Sequence, residues 1–101
     1  MEIQKREELI ELYDLYYELL TDKQKDYFEE YYFMDLSITE IAINHEISRN
    51  GVLDQLIRVC NNLYEYESKL KFNQKIKEIK KLNLDDDTLS KVLNIIEGTD
   101  E

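Results

Sequence analysis

Apolar residues recur every three or four positions along most of the chain, the spacing of helices that bury one face. Between Gln4 and Leu20 the stripe Leu9, Leu12, Tyr13, Tyr16, Leu19 and Leu20 predicts an amphipathic first helix. Thr21 with Gln24 three residues on has the spacing of a capping box. A second helix is therefore predicted from Asp22, carrying Tyr27, Phe28, Tyr31 and Tyr32 inward and ending around Phe33–Leu36. The short connection makes these two helices antiparallel neighbours. Ser37 and Glu40 repeat the capping-box spacing ahead of a short helix with Ile38, Ile41 and Ala42 on its apolar face, ending near Asn44–His45.

Ser48 opens a fourth helix that nothing stops until about Leu82. Along it Val52, Leu56, Val59, Leu63, Tyr66 and Leu70 alternate steps of four and three, a heptad-like seam. Phe72, Ile76 and Ile79 continue the stripe in shifted phase, which predicts a bend or break near residues 71–74. Unbroken, this helix would run ~50 Å, well beyond the ~13 Å radius of gyration of a compact chain this long. Such a helix is covered along its length either by a homodimer, formed through its second half and the terminal helix, or by a bend near Asn73 that folds the terminal helix back. The last helix is predicted over Asp86–Glu97, announced by the acidic run from Asp85 to Asp87, with Leu89, Val92, Leu93 and Ile96 inward and Gly98 ending it. The expected fold is all-α, about five helices with a long fourth. Residues 1–70 form the first domain, and residues 71–101 form a helical extension that packs back or dimerises.

The stretch from Leu36 to Val52 places two Ser-capped helices around a short turn, with Glu40-Ile41-Ala42 in the first and Val52 in the second. In a helix-turn-helix a small residue allows close approach, an apolar turn residue plugs the corner, and the second helix crosses the first. Ala42, Ile47 and Val52 are placed for those three roles. Leu20-Thr-Asp-Lys-Gln-Lys, Tyr31-Tyr32, Asp35-Leu-Ser-Ile-Thr-Glu-Ile-Ala, Ile47-Ser-Arg and Tyr64-Glu-Tyr-Glu-Ser-Lys-Leu70 together resemble the YlxM proteins of low-GC Gram-positive bacteria and mollicutes. The resemblance covers roughly residues 9–72. It implies a small cytoplasmic helix-turn-helix protein similar to the fourth region of sigma factors. It also implies a regulatory or accessory role linked to the signal recognition particle pathway, whose GTPase genes neighbour the family's own. The chain departs from the family pattern after Arg49. Leu53 replaces an aromatic residue, and Cys60-Asn61-Asn62 stands where basic residues would help hold a phosphate backbone.

Composition sharpens this picture. The chain has 101 residues, no Pro, two Gly and one Cys, so it lacks the turn residues of a sheet-rich fold. A lone cysteine, beside the apolar seam, reads as a small packed side chain in a reducing compartment. No apolar run approaches the ~18–20 residues of a membrane span, and the N-terminus does not resemble a signal peptide. The formal net charge is −10. Residues 1–47 hold 4 basic and 13 acidic residues, whereas residues 48–101 hold 9 and 10. The only concentrated positive stretch comprises Lys69, Lys71, Lys75, Lys77, Lys80 and Lys81, with Glu78 alone against them.

Two functional classes fit these residues. The first is a nucleic-acid-binding regulator that reads DNA or the RNA of the signal recognition particle. It would use Arg49, Asn50, Asp54, Gln55 and Arg58 on the fourth helix, with the six lysines as electrostatic support. The second is a protein–protein adaptor that engages a targeting GTPase. The lysines also read as the solvated face of a helix that balances an acidic body. His45, the single histidine, is expected to meet solvent at a helix end. The Asp85–Asp87 run lacks the glycine and ligand pattern of a calcium loop. No catalytic, cofactor or metal pattern is present, so neither an enzyme nor a cofactor is expected.

Overall fold

The three Ser and Thr caps read from the sequence all form. Thr21 Oγ1 accepts from the Gln24 amide while the Gln24 side chain accepts from the Thr21 amide, at 3.2 and 2.9 Å. Ser37 and Glu40 make the same reciprocal pair at 3.1 and 3.2 Å, and Ser48 Oγ accepts from the Gly51 amide at 2.9 Å. These caps fix the helix starts in a computed structural model that describes residues 3–98. Its elements are α1 (Ile3–Tyr16), α2 (Asp22–Tyr32), α3 (Ile38–His45), α4 (Arg49–Leu70), α5 (Phe72–Lys80) and α6 (Asp86–Glu97), with no strand among the described residues.

The helix α4 is the spine. Val59 and Leu63 join Leu9, Leu12, Tyr13, Tyr16, Leu20, Phe28 and Tyr32 in a core shared by α1, α2 and α4. Val52 and Leu56 join Tyr27, Ile41 and Ala42 in a second cluster under α3. Tyr13 stacks on Phe28 with ring centroids 4.3 Å apart. Burying a large apolar side chain contributes roughly 1.5–3 kcal/mol, so these two clusters hold the first four helices together.

Departures from the periodic reading occur where helices end. The first helix tightens into a 3-10 turn over Tyr17–Leu19, and Leu20 is extended, which turns Leu19 outward at 56% exposure. Ile47, expected to plug the corner, is 37% exposed. The left-handed Glu46 before it (φ 55°) reverses the chain and leaves Ile47 at the mouth of the turn. There it packs against Gly51, whose missing Cβ would lie 3.5 Å from Ile47 Cδ1 and 3.1 Å from Ser48 Oγ. The close approach explains a glycine in the first turn of a helix.

The bend or break predicted near residues 71–74 is a break after Leu70, which makes six α-helices among the described residues where about five were expected. Lys71 adopts φ 57°, and α5 turns back along the same chain. The break is satisfied from outside α5. Glu67 accepts from the amides of Asn73 and Gln74 at 3.0 and 3.1 Å and from the Tyr16 hydroxyl at 2.6 Å. The Tyr16 oxygen in turn accepts from the Phe72 amide at 3.3 Å. Three orphan N–H groups at a helix start thus find partners on α4 and α1. Ile76 is buried, Phe72 stacks on Tyr16, and Asn73 Nδ2 donates to Glu11, so α5 packs on α1. The apolar face of α5 around Ile76 is thus covered within one chain.

The last helix spans Asp86–Glu97 as predicted, capped by Asp85 accepting from the Thr88 amide at 2.8 Å and ended by Gly98 at φ 72°. Leu89, Val92, Leu93 and Ile96 are only half-buried, and no residue of α6 is fully buried. The molecule is elongated, 49 × 28 × 24 Å, with a Cα radius of gyration of 15.9 Å.

Candidate nucleic-acid interface

The α3–α4 pair is a helix-turn-helix built as the residue types require. Ile41 and Val52 are fully buried and Ala42 is 6% exposed, so the small side chain lets the two helices close on each other. The Ile47 amide donates to the Ala42 carbonyl at 3.1 Å, closing the end of α3. His45 braces the corner rather than meeting solvent. Its Nε2 lies 2.6 Å from Glu30 and its Nδ1 3.3 Å from Lys23 Nζ, with the ring 4.6 Å from that of Tyr27. An ammonium only donates, so Nδ1 accepts from Lys23 and Nε2–H donates to Glu30. That contact ties the end of α3 to α2.

This bracing fixes which side of α4 faces outward. Arg49, Asn50, Asp54 and Arg58 are exposed, and the last three step along the side opposite Val52, Leu56 and Val59. Gln55 is half-buried and turned away from that row. Asn50, one negative charge (Asp54) and one positive charge (Arg58) therefore define the outward row, and Arg49 is exposed at the first turn of α4, off that row. Leu53 and Ile57, 43% and 57% exposed, border it.

The six lysines do not gather on one surface. Lys69 pairs with Glu65 along α4 at 3.1 Å, and Lys77 pairs with Glu11 of α1 at 3.4 Å. Lys75 lies over the Phe72 ring, 5.6 Å from its centroid. Lys71 occupies the bend itself. Lys80 shares a cleft with Glu11 and Asp14, and Lys81 shares one with Glu8 and Glu78. Folding α5 against α1 thus sets part of the basic stretch against the acidic N-terminal helix. Burial, reinforced by Glu11, raises the Asp14 carboxyl above the ordinary aspartate range.

Some acidity is also internal. Tyr13 donates to Glu29, Tyr16 donates to Glu67, and burial reinforced by those carboxylates pushes both phenols well above the ordinary tyrosine range. Arg6 donates to the Tyr32 carbonyl and pairs with Asp35 at 3.3 Å, pinning α1 to the end of α2.

Sequence reasoning missed a groove of about 600 Å³ along the flank of α4. Leu53, Ile57, Cys60 and Tyr64 form one wall, with Tyr31, Ile38 and Lys5 opposite. Its signal was in the chain: steps of four, three and four, offset by one residue from the buried seam. Cys60 sits in the wall, its thiol pushed up by burial and 3.7 Å from the Tyr32 hydroxyl. Among the described residues no group of three His, Cys, Asp or Glu side chains could hold a metal ion. No described helix is long and apolar enough to cross a membrane.

An all-helical fold built on a capped, small-residue corner defines a helix-turn-helix protein. Residues 3–97 match the family model UPF0122, described as "Putative helix-turn-helix protein, YlxM / p13 like", and the chain belongs to that family. A UPF0122 protein of Fusobacterium nucleatum is 45% identical over 74 residues, covering 73% of this chain and 72% of the relative. One from Ureaplasma parvum is 49% identical over 74 residues, with 73% and 75% covered. A Staphylococcus epidermidis relative is 42% identical over 71 residues, with 70% and 64% covered.

Proposed function

We propose that the chain is a non-catalytic regulatory or accessory protein that contacts nucleic acid through the outward face of α4 and serves the signal recognition particle pathway in the cytoplasm. One observation carries the reading. The braced corner leaves Asn50, Asp54 and Arg58 exposed in one row on a rigid helix, with Arg49 exposed at its first turn, where a nucleic-acid backbone and base edges can be met together. Asp54 on the same face disfavours simple charge-driven coating and suits selective contact. Lys71 supplies longer-range attraction from the bend before α5, with Lys80 and Lys81 partly offset by the carboxylates that share their clefts, whereas Lys69, Lys75 and Lys77 are engaged within the chain.

The adaptor reading, in which the chain engages a targeting GTPase, draws on a different observation. The N-terminal half carries 4 basic against 13 acidic residues, a field that repels phosphate and attracts a basic protein surface.

Binding of a structured targeting RNA and of duplex DNA, followed across a salt series, separates the two. Arg49→Ala with Arg58→Ala is expected to weaken binding at least tenfold and to lower the salt slope by about 2, at ~0.9 per phosphate contact. Binding that survives this change but collapses when the six lysines are neutralised would move the interface to α5. No binding of either nucleic acid at low salt leaves the adaptor reading in place.

A further inference from the structure

The outward side of α4 carries two side chains that suit no phosphate backbone. Ile57 is 57% exposed, and Asp54 is an exposed carboxylate. Ile57 follows Asn50 by seven residues, so it stands two turns further along on the same side of the helix, beside Asp54. The two arginines flank these three residues. Steps of four drift round a 3.6-residue helix, which carries Arg58 about 80° to one side of Asn50, whereas Arg49, one residue before Asn50, lies about 100° to the other side. Arg49, Asp54 and Arg58 take part in no ion pair among the described residues. Leu53, 43% exposed, lines one hollow with Ser48, Arg49 and Asn50 at the start of the helix, so a second apolar side chain faces the same space as the polar ones.

A cation on each side of an uncharged and acidic middle matches the major groove of B-form DNA. That groove is about 12 Å wide and admits one helix, with a phosphate strand along each edge and base edges on its floor. Against phosphate a carboxylate is repelled and an isoleucine gains nothing, but on the groove floor each has a partner. Asp54 accepts from the amino group of cytosine, Asn50 pairs with N6 and N7 of adenine, and an apolar side chain meets the 5-methyl group of thymine. Double-stranded RNA offers no such floor, because its major groove is too deep and narrow for side chains to read, and uracil lacks the methyl. Single-stranded RNA is held by stacking on aromatic rings or guanidinium planes, and Asn50, Leu53, Asp54 and Ile57 include no ring.

We infer that Ile57 and Leu53 read thymine methyl groups in the major groove of duplex DNA, with Arg49 and Arg58 on the two flanking phosphate strands. The inference rests on the reading of α4 as the nucleic-acid contact and narrows its target to a thymine-bearing duplex.

Fluorescence anisotropy of the full chain with three labelled duplexes of about 20 base pairs, at ~50 mM salt, tests it. The first is alternating adenine–thymine DNA, the second is the same DNA with every thymine replaced by uracil, and the third is its RNA counterpart. The first two differ only in the methyl groups. Wild-type chain is expected to bind the thymine duplex about five- to tenfold tighter than the uracil duplex, the effect of burying one or two methyl-sized groups, and to bind the RNA duplex weakest. Leu53→Ala with Ile57→Ala, both at exposed positions, is expected to keep the circular dichroism of the fold and to reduce the thymine duplex to the affinity of the uracil duplex. Arg58→Ala is expected to weaken both DNA duplexes by the same factor, leaving their ratio as it was. Equal affinity of the wild type for the thymine and uracil duplexes overturns the inference and leaves α4 as a nucleic-acid contact. A thymine preference that survives the double alanine variant overturns it in the same way, as does tightest binding to RNA. No binding to any of the three duplexes overturns it together with the reading it rests on.

Discussion

Glu67 is the residue on which the shape of the C-terminal third depends. Its carboxylate takes hydrogen bonds from two amides at the start of α5 and from the Tyr16 hydroxyl. No residue of α5 or its own cap supplies those partners. Glu67→Ala leaves three donors without their acceptor, at about 1–3 kcal/mol for each that stays buried and about 2–3 kcal/mol in all. Urea unfolding checks the magnitude, and faster amide exchange at residues 72–74 checks the location. His45 holds the other joint. His45→Ala is expected to cost about 1–2 kcal/mol through the lost contacts to Glu30 and Lys23, and exchange at the end of α3 should rise. Neither residue announces its role in the sequence. Their contacts span 6 to 51 residues of separation, and periodicity reports only which side of a helix is apolar. The caps were legible because Thr21, Ser37 and Ser48 bond within three residues of themselves. Ile47 and Leu19 misled for a related reason: both lie where the backbone leaves helical geometry, so the helical phase no longer says where a side chain points.

At the scale of elements, the helix-turn-helix was readable from Ala42, Val52 and the two serine caps, because its corner has one tight steric demand. Ala42→Val, which adds two methyl groups at a position 6% exposed, should destabilise by about 1–3 kcal/mol through overpacking, measurable by thermal unfolding. The break at Lys71 falls in the stretch, residues 71–74, where the phase shift at Phe72 predicts a bend or break, although a left-handed Lys71 leaves no signature of the kind glycine would. The end of the chain beyond α5 is held less firmly. Helix α6 has no fully buried residue and rests on its Asp85 cap, whose carboxyl the Thr88 amide holds below the usual aspartate range. A depressed value means the cap's contribution is complete above the ordinary aspartate range and is lost as pH falls through the lowered value. Acid titration followed by amide exchange should therefore show α6 fraying before the α1–α4 core. Asp85→Ala should produce the same fraying at neutral pH.

Across the whole molecule the net charge of −10 is a sum of unlike parts. Several carboxylates serve inside the fold: Glu29 and Glu67 accept from tyrosines, Glu30 from His45, and Glu11 from Lys77. Lysines that look like one patch along the chain are distributed around α5, and part of their charge is spent against α1. The sequence therefore overstated the unity of the basic stretch, because a local count cannot see which helix folds back on which. Against that background α4 carries the exposed Arg58 beside Asn50 and Asp54, with Arg49 exposed at its first turn, on a helix that the braced corner holds rigid. Fluorescence anisotropy of a labelled RNA hairpin and a labelled duplex, titrated with wild-type chain and with Arg49→Ala/Arg58→Ala at ~50 mM salt, where phosphate contacts count most, tests this most directly. Saturable binding by the wild type, weakened at least tenfold in the double variant, is the expected result. Equal binding by both proteins, or none to either probe, would contradict it.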